Sequence, residues 1–474
     1  MVKIFQILLI FITSLLLAAC GGGGGGGGSS GEAVGGGAIP QCSENASYVD
    51  GEYNFMGNGG TYTSTNLYGL GSVCASAAYG RGATGDGQLI AVLDSGISVG
   101  EGTTTDLNQI NSNIATFLTG SDVINSDNVP QDDDNNNNTA LGSGHGSHVA
   151  GLIANEHNNS SFGGHGIAYD ATLHIIKVLD EDGSGSFAQI AAGMDLARGV
   201  SSMDIVNLSL GSSGVIGSTC DSASSCETAL GSTIYTAMEA LGSASIIQVY
   251  AAGNDGNSSP NTLAGAAIYD DDFKETTVIA VAIDSTGNLA SYSDKCGVAK
   301  AICIAAPGSS LYSFFSSNAQ SSYAVDNYAQ SMSGTSQAAP LVSGGLALIK
   351  QEFSSLTNAQ VIDRLLATAL DTGEYSKSTI YGHGLMNLNG ATAAVAKLQT
   401  INGSNLLDDP NTSYYDLAHN SFLSSAAFSN ALNNALAGHT MEVYDSFDRA
   451  NFDVAVNSFF TSGSYTSQNT IENH

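Results

Sequence analysis

The segment QLIAVLD, residues 88–94, is a short apolar run that ends in an aspartate. We interpret it as a buried strand, because its apolar residues are continuous, as expected where both faces of a sheet are covered. Similar apolar strands are predicted at 171–179, 204–210, 244–253 and 276–283. Segments of helical pattern alternate with these strands. The alternation predicts an α/β fold with a mostly parallel central sheet and helices on both faces.

Helical patterns fill the segments between the strands. They begin near His145 and after Ser336, and they cover 187–199, 228–242 and 358–370. Parallel sheets of this kind bind their ligands at the carboxyl ends of the strands. Polar side chains that follow a strand or open a helix are therefore the candidates for chemistry.

The charge balance excludes some classes of partner. Lys and Arg total 12 against 43 Asp and Glu, a formal net charge of -31. Such an acidic chain repels nucleic acid and anionic lipid surfaces. No CxxC pair or Cys/His cluster has zinc spacing. The composition indicates a soluble, self-repelling protein, and we expect a monomer.

The N-terminus predicts an export signal. Lys3 precedes an apolar run, residues 4–17, that is too short for a comfortable membrane span. The run closes in LAAC, residues 17–20, which resembles the lipobox of bacterial lipoproteins; an ordinary signal peptide cleaved nearby is the alternative. We expect residues 1–19 to be removed and Cys20 to become the lipidated first residue.

The residues after this cysteine indicate where the chain is anchored. Gly21 follows it, as in lipoproteins that are forwarded to the outer membrane. A lipidated cysteine carries more than one acyl chain, so the anchoring would be stable. We expect an outer-membrane lipoprotein that faces the periplasm or the cell surface. Residues 20–41 are rich in Gly and Ser and predict a flexible tether.

Cysteine usage suits an oxidising compartment. The chain has seven cysteines, and six remain once Cys20 of the lipobox is set aside. An even number in an exported chain favours disulfides over free thiols. Six cysteines allow fifteen pairings, and the sequence alone does not choose among them. The short loops CDSASSC and CGVAKAIC nonetheless favour local bridges. The expected pairs are Cys42–Cys74, Cys220–Cys226 and Cys296–Cys303.

Asp94 and His145 are the first two candidates for chemistry. Asp94 directly follows its strand, where an Asx turn or a cap is the alternative interpretation. His145 stands between glycines in GSGHGSH and opens a helix. A structural helix cap is the alternative for His145. Metal binding together with His148 is another, but no third ligand follows at a fitting spacing.

Ser336 and Asn254 complete the set of candidates. Ser336 lies in SMSGTSQAAP, residues 331–340, at the start of a helix whose free N–H groups favour a nearby negative charge. A serine N-cap is the alternative, but a cap does not require such small neighbours. Asn254 ends a strand in YAAGNDG, where it can form a turn or donate its amide to a developing oxyanion.

Together these residues form a nucleophile (Ser336), a base (His145), an orienting acid (Asp94) and an oxyanion donor (Asn254) on one rim. The chain order Asp, His, Ser is that of subtilisin and differs from the chymotrypsin and α/β-hydrolase orders. The segments VLDSGI, GHGSHVAG, AAGN and SGTSQAAP resemble the signature motifs of the subtilisin-like serine proteases. The likeness runs from about Gly80 to Lys397.

The resemblance implies a subtilisin-like three-layer fold and a serine endopeptidase that hydrolyses protein or peptide substrates through an acyl-enzyme, without a cofactor for catalysis. It also implies that the substrate binds as an added strand between two walls. One wall would be Gly183, Ser184 and Gly185, and the other would be Ser209, Leu210 and Gly211.

Two positions depart from the usual motifs. Ser147 stands where the histidine motif usually has Thr, and Gln337 stands where Met commonly follows the nucleophile. DDDNNNN, residues 132–138, offers hard oxygen ligands that suit a structural Ca²⁺, with a solvated loop as the alternative. The acidic residues 270–272 are a candidate for contact with a basic substrate residue, but a surface loop is the favoured interpretation.

We divide the exported chain into a peptidase domain, residues 42–397, and a C-terminal extension, residues 398–474. The lipobox, the tether, CGVAKAIC and the tail motif VYDSFDRANFDV more narrowly resemble the passenger domains of Gram-negative lipoprotein autotransporter subtilases. In that group the last motif links the protease to a membrane β-barrel. Residues 398–474 are too few for such a barrel, so we expect an extension without one.

Two other functions compete with a lipid-anchored endopeptidase. A sedolisin-like peptidase also uses an SGTS serine but pairs it with Glu and Asp, and GHGSH argues against it. A surface or adhesion protein on a catalytically silent or truncated subtilase scaffold is the other alternative. The complete set of four site residues argues against that alternative. The sequence therefore predicts an active, exported serine endopeptidase.

Overall fold

A parallel sheet forms the centre of the computed structural model. The structure describes residues 68–97, 113–132, 144–156, 165–180, 182–314 and 329–395, and short segments between 398 and 462. The strands of the sheet are β1 (Leu89–Asp94), β2 (Thr172–Lys177), β3 (Ile205–Leu208), β4 (Ile247–Ala251), β5 (Thr277–Ile283) and β6 (Cys303–Pro307). Their order is β2-β1-β3-β4-β5-β6, and every pair is parallel. All five predicted strands lie within three residues of the observed bounds, and β6 was not predicted.

Strand β1 shows how both faces of the sheet are covered. Ile90 and Val92 belong to one apolar cluster, together with residues of the helix that follows Ser336. Ala91 and Leu93 point the other way and belong to a second cluster, with residues of the helix at 187–198. Alternate side chains of a strand point to opposite faces, so the continuous apolar run is required. The predicted three-layer α/β fold is confirmed.

Two short helices, α1 (Tyr68–Ser72) and α2 (Ala75–Tyr79), come first in the described part of the chain. The longer helices that follow and cover the sheet are α3 (His145–Ala154), α4 (Phe187–Arg198), α5 (Ala223–Leu230), α6 (Ser232–Ser243), α9 (Thr335–Glu352) and α10 (Asn358–Ala367). Shorter helices are α7 (Thr262–Gly265), α8 (Asp271–Lys274), α11 (Ser378–Tyr381) and α12 (Leu388–Ala391).

The single helix predicted over 228–242 is wrong. Two helices, α5 and α6, meet at Gly231, whose φ of 90° breaks the helical path. Only glycine adopts that conformation readily. Elsewhere the starts are sharp, because Ser186 and Thr357 form capping boxes at α4 and α10.

The remaining strands lie outside the central sheet. The antiparallel pair β7 (Leu311–Phe314) and β8 (Ala329–Met332) precedes α9. Beyond 397 the strands are β9 (Leu398–Ile401), β10 (Tyr414–Asp416), β11 (Phe422–Ser424), β12 (Thr440–Asp445), β13 (Asn451–Ala455) and β14 (Phe460–Ser462). Strands β10, β9, β12 and β13 form a small sheet in that order.

The hairpin of β12 and β13 packs against the peptidase core. Ala450 belongs to the same apolar cluster as α9, and Phe452 meets Phe353 with ring centroids 5.1 Å apart. This hairpin lies beyond the domain boundary predicted at residue 397, yet it shares the core of the peptidase domain. Of the helices in the described part of the chain, none combines the length and apolarity needed to cross a lipid bilayer.

Two local disulfides are present. Cys220 is joined to Cys226 with Cα atoms 4.9 Å apart, and Cys296 to Cys303 with Cα atoms 5.7 Å apart. Cys74 is also disulfide-bonded. Its expected partner Cys42 lies outside the described residues, so that pairing stays a prediction. Cys20 and the tether lie outside them as well.

Candidate active site

The order of the strands places the site. After β1 the chain forms β2 on one side of it and then β3 on the other, so the direction of winding changes between β1 and β3. A crevice opens at such a switch point, outside the carboxyl ends of the strands. Asp94 is the last residue of β1, and Ser209 directly follows the last residue of β3. Both residues therefore lie at this crevice.

Asp94 and His145 are hydrogen-bonded to each other. His145 Nδ1 lies 2.7 Å from Asp94 Oδ1, which also accepts the backbone N–H of Ser95 at 2.7 Å. The Asp94 side chain is 1% exposed and the His145 side chain 26% exposed. A buried carboxylate thus fixes one ring nitrogen while the other side of the ring faces solvent. This fixes the tautomer with Nε2 free to accept a proton.

Gly146 allows α3 to approach the end of β1. A Cβ atom at this position would lie 2.2 Å from the carbonyl oxygen of Gly96 and 3.2 Å from Cβ of Asp94. Any other residue would push the helix away from the strand. The backbone N–H of Gly146 also donates to Ser95 Oγ at 3.0 Å, a contact that the sequence did not predict. These contacts explain why a glycine follows His145.

Burial and nearby carboxylates act in opposite directions on the pKa of His145. Burial is the largest influence and lowers the pKa, but the charge of Asp94, its hydrogen bond and the charge of Asp132 outweigh burial. The net result is a pKa above the ordinary value of 6.5. The site therefore stabilises the imidazolium form of His145 relative to the neutral ring.

Ser336 lies in the first turn of α9, and Pro340 explains part of its surroundings. A proline has no N–H, so the carbonyl oxygen four residues earlier, that of Ser336, loses its helical donor. Ser209 Oγ donates to that carbonyl instead, at 2.8 Å. The Ser336 hydroxyl in turn donates to the carbonyl oxygen of Ser209 at 3.2 Å. The reciprocal pair ties α9 to the loop after β3.

A buried polar chain supports this pair and was not predicted from the sequence. Asn207 Nδ2 donates to Ser209 Oγ at 3.0 Å, and Asn207 Oδ1 accepts the hydroxyl of Ser343 at 2.9 Å. Asn207 and Ser343 are fully buried. The available signal was an asparagine inside the otherwise apolar strand IVNL.

Asn254 and the backbone N–H of Ser336 face a common point. Asn254 Oδ1 accepts the backbone N–H of Thr335 at 2.8 Å and the Thr335 hydroxyl at 3.0 Å, which leaves Asn254 Nδ2 as a donor. A Cβ atom on Gly334 would lie 3.5 Å from Asn254 Nδ2 and 3.5 Å from Ser336 N. Two donors thus flank a space that only the lack of a side chain on Gly334 keeps open. The orienting role of Thr335 was not predicted.

One cavity of about 480 Å³ brings the predicted residues together. Asp94, His145 and Ser336 line it, as do both expected walls. The wall residues are Gly183, Ser184, Gly185, Ser209, Leu210 and Gly211. Ser95, Leu179, Ile190 and Met332 also line it and were not predicted. Asn254 is not among the lining residues, but its amide reaches the adjacent point beside Gly334.

The acidic groups proposed for other roles lie elsewhere. Asp132 is buried and its Oδ2 accepts the backbone N–H of Gly144 at 2.5 Å, so it supports the start of α3. The other members of the segment 132–138 lie outside the described residues, and the Ca²⁺ site stays a prediction. Asp270 caps α8 and accepts the hydroxyl of Tyr235 at 2.8 Å; residues 270–272 do not line the cavity.

The fold and the site together define a hydrolase of the subtilisin type, built on a parallel α/β sheet. The family model described as "Subtilase family" matches residues 85–384. The chain belongs to this family and is a serine-type endopeptidase.

Individual relatives are similar over most of the chain. Subtilisin Savinase of Lederbergia lenta is 35% identical over 325 residues, which cover 69% of this chain and 98% of that protein. Subtilisin DY of Bacillus licheniformis is 34% identical over 326 residues, 68% of this chain and 97% of that protein. An alkaline protease of Alkalihalobacillus alcalophilus is 35% identical over 325 residues, 69% of each chain.

Proposed function

We propose that this chain hydrolyses peptide bonds with Ser336 as nucleophile, His145 as general base and Asp94 as the acid that orients His145. The observation that carries the proposal is the cavity that joins these three residues, with His145 Nδ1 held 2.7 Å from Asp94. The chain's own residues supply every group that the reaction needs, so catalysis requires no cofactor.

The reaction begins when the Ser336 hydroxyl turns from the carbonyl of Ser209 towards Nε2 of His145. A catalytic hydrogen bond of this kind commonly tightens only once substrate is bound. His145 then takes the proton as the oxygen attacks the peptide carbonyl, and Asp94 stabilises the imidazolium. Asn254 Nδ2 and the Ser336 backbone N–H receive the oxyanion. His145 gives the proton to the leaving amine, and water resolves the acyl-enzyme.

The substrate would bind as an extended strand between the two walls of the cavity. Gly185 packs closely against the chain after β2, since a Cβ there would lie 2.3 Å from the carbonyl oxygen of Val178, and it presents no side chain to the cavity that it lines. A close wall lets backbone groups of a peptide pair with backbone groups of the protein. Protein or peptide substrates follow from this mode of binding.

A fluorophosphonate probe tests the proposal, because it reacts with an activated serine. We expect the purified chain from about residue 42 to be labelled, and the Ser336→Ala variant not to be. Ser232→Ala is the matched control, since that exposed serine also opens a helix but does not line the cavity and should not react. A folded wild type that takes no label would instead favour a silent scaffold.

The activity should depend on pH through His145. Because Asp94 and Asp132 raise the pKa of His145 above 6.5, the neutral base is present only at a higher pH than for a free histidine. We expect kcat/KM to rise with pH, with the midpoint of the acid limb above 6.5. Hydrolysis of a chromogenic peptide between pH 5 and 9 measures this midpoint.

Two variants separate the carboxylates that act on this midpoint. Asp132→Asn removes one of the charges that raise the pKa of His145, while an amide oxygen can still accept the N–H of Gly144. The midpoint should therefore move to lower pH. Asp127→Asn removes an exposed charge that does not act on His145 and should leave the midpoint in place. A midpoint at or below 6.5 in the wild type contradicts the prediction.

We also propose that the enzyme is exported and anchored in the outer membrane through a lipidated Cys20. The support is the sequence LAAC after a short apolar run, the Gly/Ser-rich tether, and the narrower likeness to autotransporter lipoprotein subtilases. Incorporation of a labelled fatty acid into the chain in a Gram-negative host, lost in Cys20→Ala, tests the anchor. Unchanged incorporation in that variant would contradict it.

A further inference from the structure

The side chain of Gln337 has an unusual environment. It directly follows Ser336 and is only 2% exposed. Its amide nitrogen, Nε2, is buried and has no hydrogen-bond partner among the described residues. Buried donors are nearly always paired, because leaving one unpaired is unfavourable. A well-packed helix next to the nucleophile therefore keeps a donor that the resting structure does not use.

The other end of this amide lies beside the oxyanion donors. Gln337 Oε1 is 2.8 Å from the point that a Cβ on Gly334 would occupy. The same point is 3.5 Å from Asn254 Nδ2 and 3.5 Å from Ser336 N. The Gln337 amide thus borders the space in which these two groups would receive the oxyanion.

We propose that Gln337 is a catalytic residue that gives the oxyanion a third hydrogen bond. This inference rests on the proposed function. The two ends of an amide are nearly equal in size, so rotation about the last side-chain torsion exchanges Oε1 and Nε2. In the resting enzyme the oxygen borders the pocket beside two N–H donors. When negative charge develops there, the rotated amide donates Nε2–H to it.

The rotation would favour the transition state over the ground state. Nε2 is unpaired in the resting enzyme, so its hydrogen bond forms only when the oxyanion is present. An interaction made only in the transition state raises kcat and leaves substrate binding nearly unchanged. A methionine of similar length fills the same volume without a donor, so the two side chains differ mainly in this interaction.

Gln337→Met and Gln337→Glu test the role of the amide with an amide-bond peptide substrate. In Gln337→Met we expect kcat to fall by about 10²-fold, with KM nearly unchanged, because one oxyanion donor is lost. Gln337→Glu keeps the shape but places an acceptor at the pocket, so its kcat should fall further. A peptidyl boronate, which forms a tetrahedral anionic adduct, should bind Gln337→Met more weakly by the same factor as kcat/KM.

Stability and a matched glutamine separate this role from a structural one. Removing an unpaired buried donor should leave the Tm of Gln337→Met unchanged or raise it, whereas loss of a structural contact would lower it. Gln88 also has an unpartnered buried amide atom, Oε1, but it lies at the amino end of β1, whereas the site lies at the carboxyl end of that strand. Gln88→Met should retain wild-type kcat.

The outcomes are distinguishable from failure of the proposed function. If the wild type is labelled by fluorophosphonate and Gln337→Met keeps its kcat within twofold, only the third donor is wrong. A rise in KM at constant kcat, or a matching loss for Gln88→Met, also overturns it. If the wild type is not labelled at all, the proposed function fails and this inference fails with it.

Discussion

Replacing Asp94 by asparagine should lower kcat by about 10⁴-fold while the fold stays intact, the size of effect known for the orienting acid of a Ser-His-Asp triad. The asparagine amide can donate to Nδ1 of His145, which favours the tautomer with the proton on Nε2. That tautomer cannot accept the proton of Ser336. Single-turnover hydrolysis of a peptide ester and of an amide measures the loss.

The same change should also lower the pKa of His145. Burial lowers this pKa, and the charge and hydrogen bond of Asp94 oppose burial. Without that charge, burial dominates. The midpoint of the acid limb of the residual activity should therefore fall below pH 6.5. A loss of kcat without this shift would mean that Asp94 acts on packing.

Asp204→Asn is the matched control for this prediction. Asp204 accepts the backbone N–H of Leu89 at 2.9 Å, so it binds the opposite end of the strand that carries Asp94. Its replacement by asparagine should leave kcat within a few-fold of wild type. A residual activity above a tenth of wild type in Asp94→Asn would contradict the assignment of Asp94.

The site could be predicted from the sequence to the extent that its residues lie at strand ends. Asp94 and Asn254 follow apolar strands, and His145 and Ser336 open helices. Local pattern therefore identifies them, and the rule that ligands bind at the carboxyl ends of parallel strands brings them together. The supports of these residues could not be found this way. Ser209 pairs with Ser336 because Pro340 leaves a carbonyl without a donor, and that pairing joins residues 127 positions apart.

The fold was predictable where the local sequence pattern of a segment determines its structure. The continuous apolar strands β1 and β5 require a sheet covered on both faces, and the structure has it. The break between α5 and α6 depends on the φ of one glycine, Gly231, inside a pattern that is otherwise helical. The docking of β12 and β13 depends on long-range partners, which no local pattern shows.

Arg364 holds this docked hairpin, and its loss should strongly destabilise the fold. Its guanidinium lies 3.0 Å from Asp445 and 2.7 Å from Asp448, and it is fully buried together with Asp445. Nε also donates to the carbonyl of Ala391 at 2.7 Å, and the group lies 4.2 Å from the ring centroid of Phe353. The buried guanidinium thus contacts two carboxylates, a backbone carbonyl and an aromatic ring.

Arg364→Met should therefore lower the free energy of unfolding by about 3–5 kcal/mol, because two buried carboxylates lose their cation. Urea unfolding in a Ser336→Ala background, which prevents self-digestion, measures the change. Arg198→Met is the matched control. Its ion pair with Asp195 also has an N–O distance of 3.0 Å but is 44% and 57% exposed, so the loss should stay within about 1 kcal/mol. A loss that small for Arg364→Met would contradict the prediction.

Deleting residues 398–474 should destabilise the protein for the same reason. Arg364 lies inside the family match at 85–384, whereas both of its carboxylate partners lie outside it. In a chain that ends at residue 397, the guanidinium of Arg364 lacks both the hairpin that covers it and the two carboxylates that neutralise its charge. Adding Arg364→Met to the shortened chain should recover part of the loss, because no unpaired charge then remains. If the shortened chain unfolds at the same urea concentration as the full chain, the hairpin is not part of the folding unit.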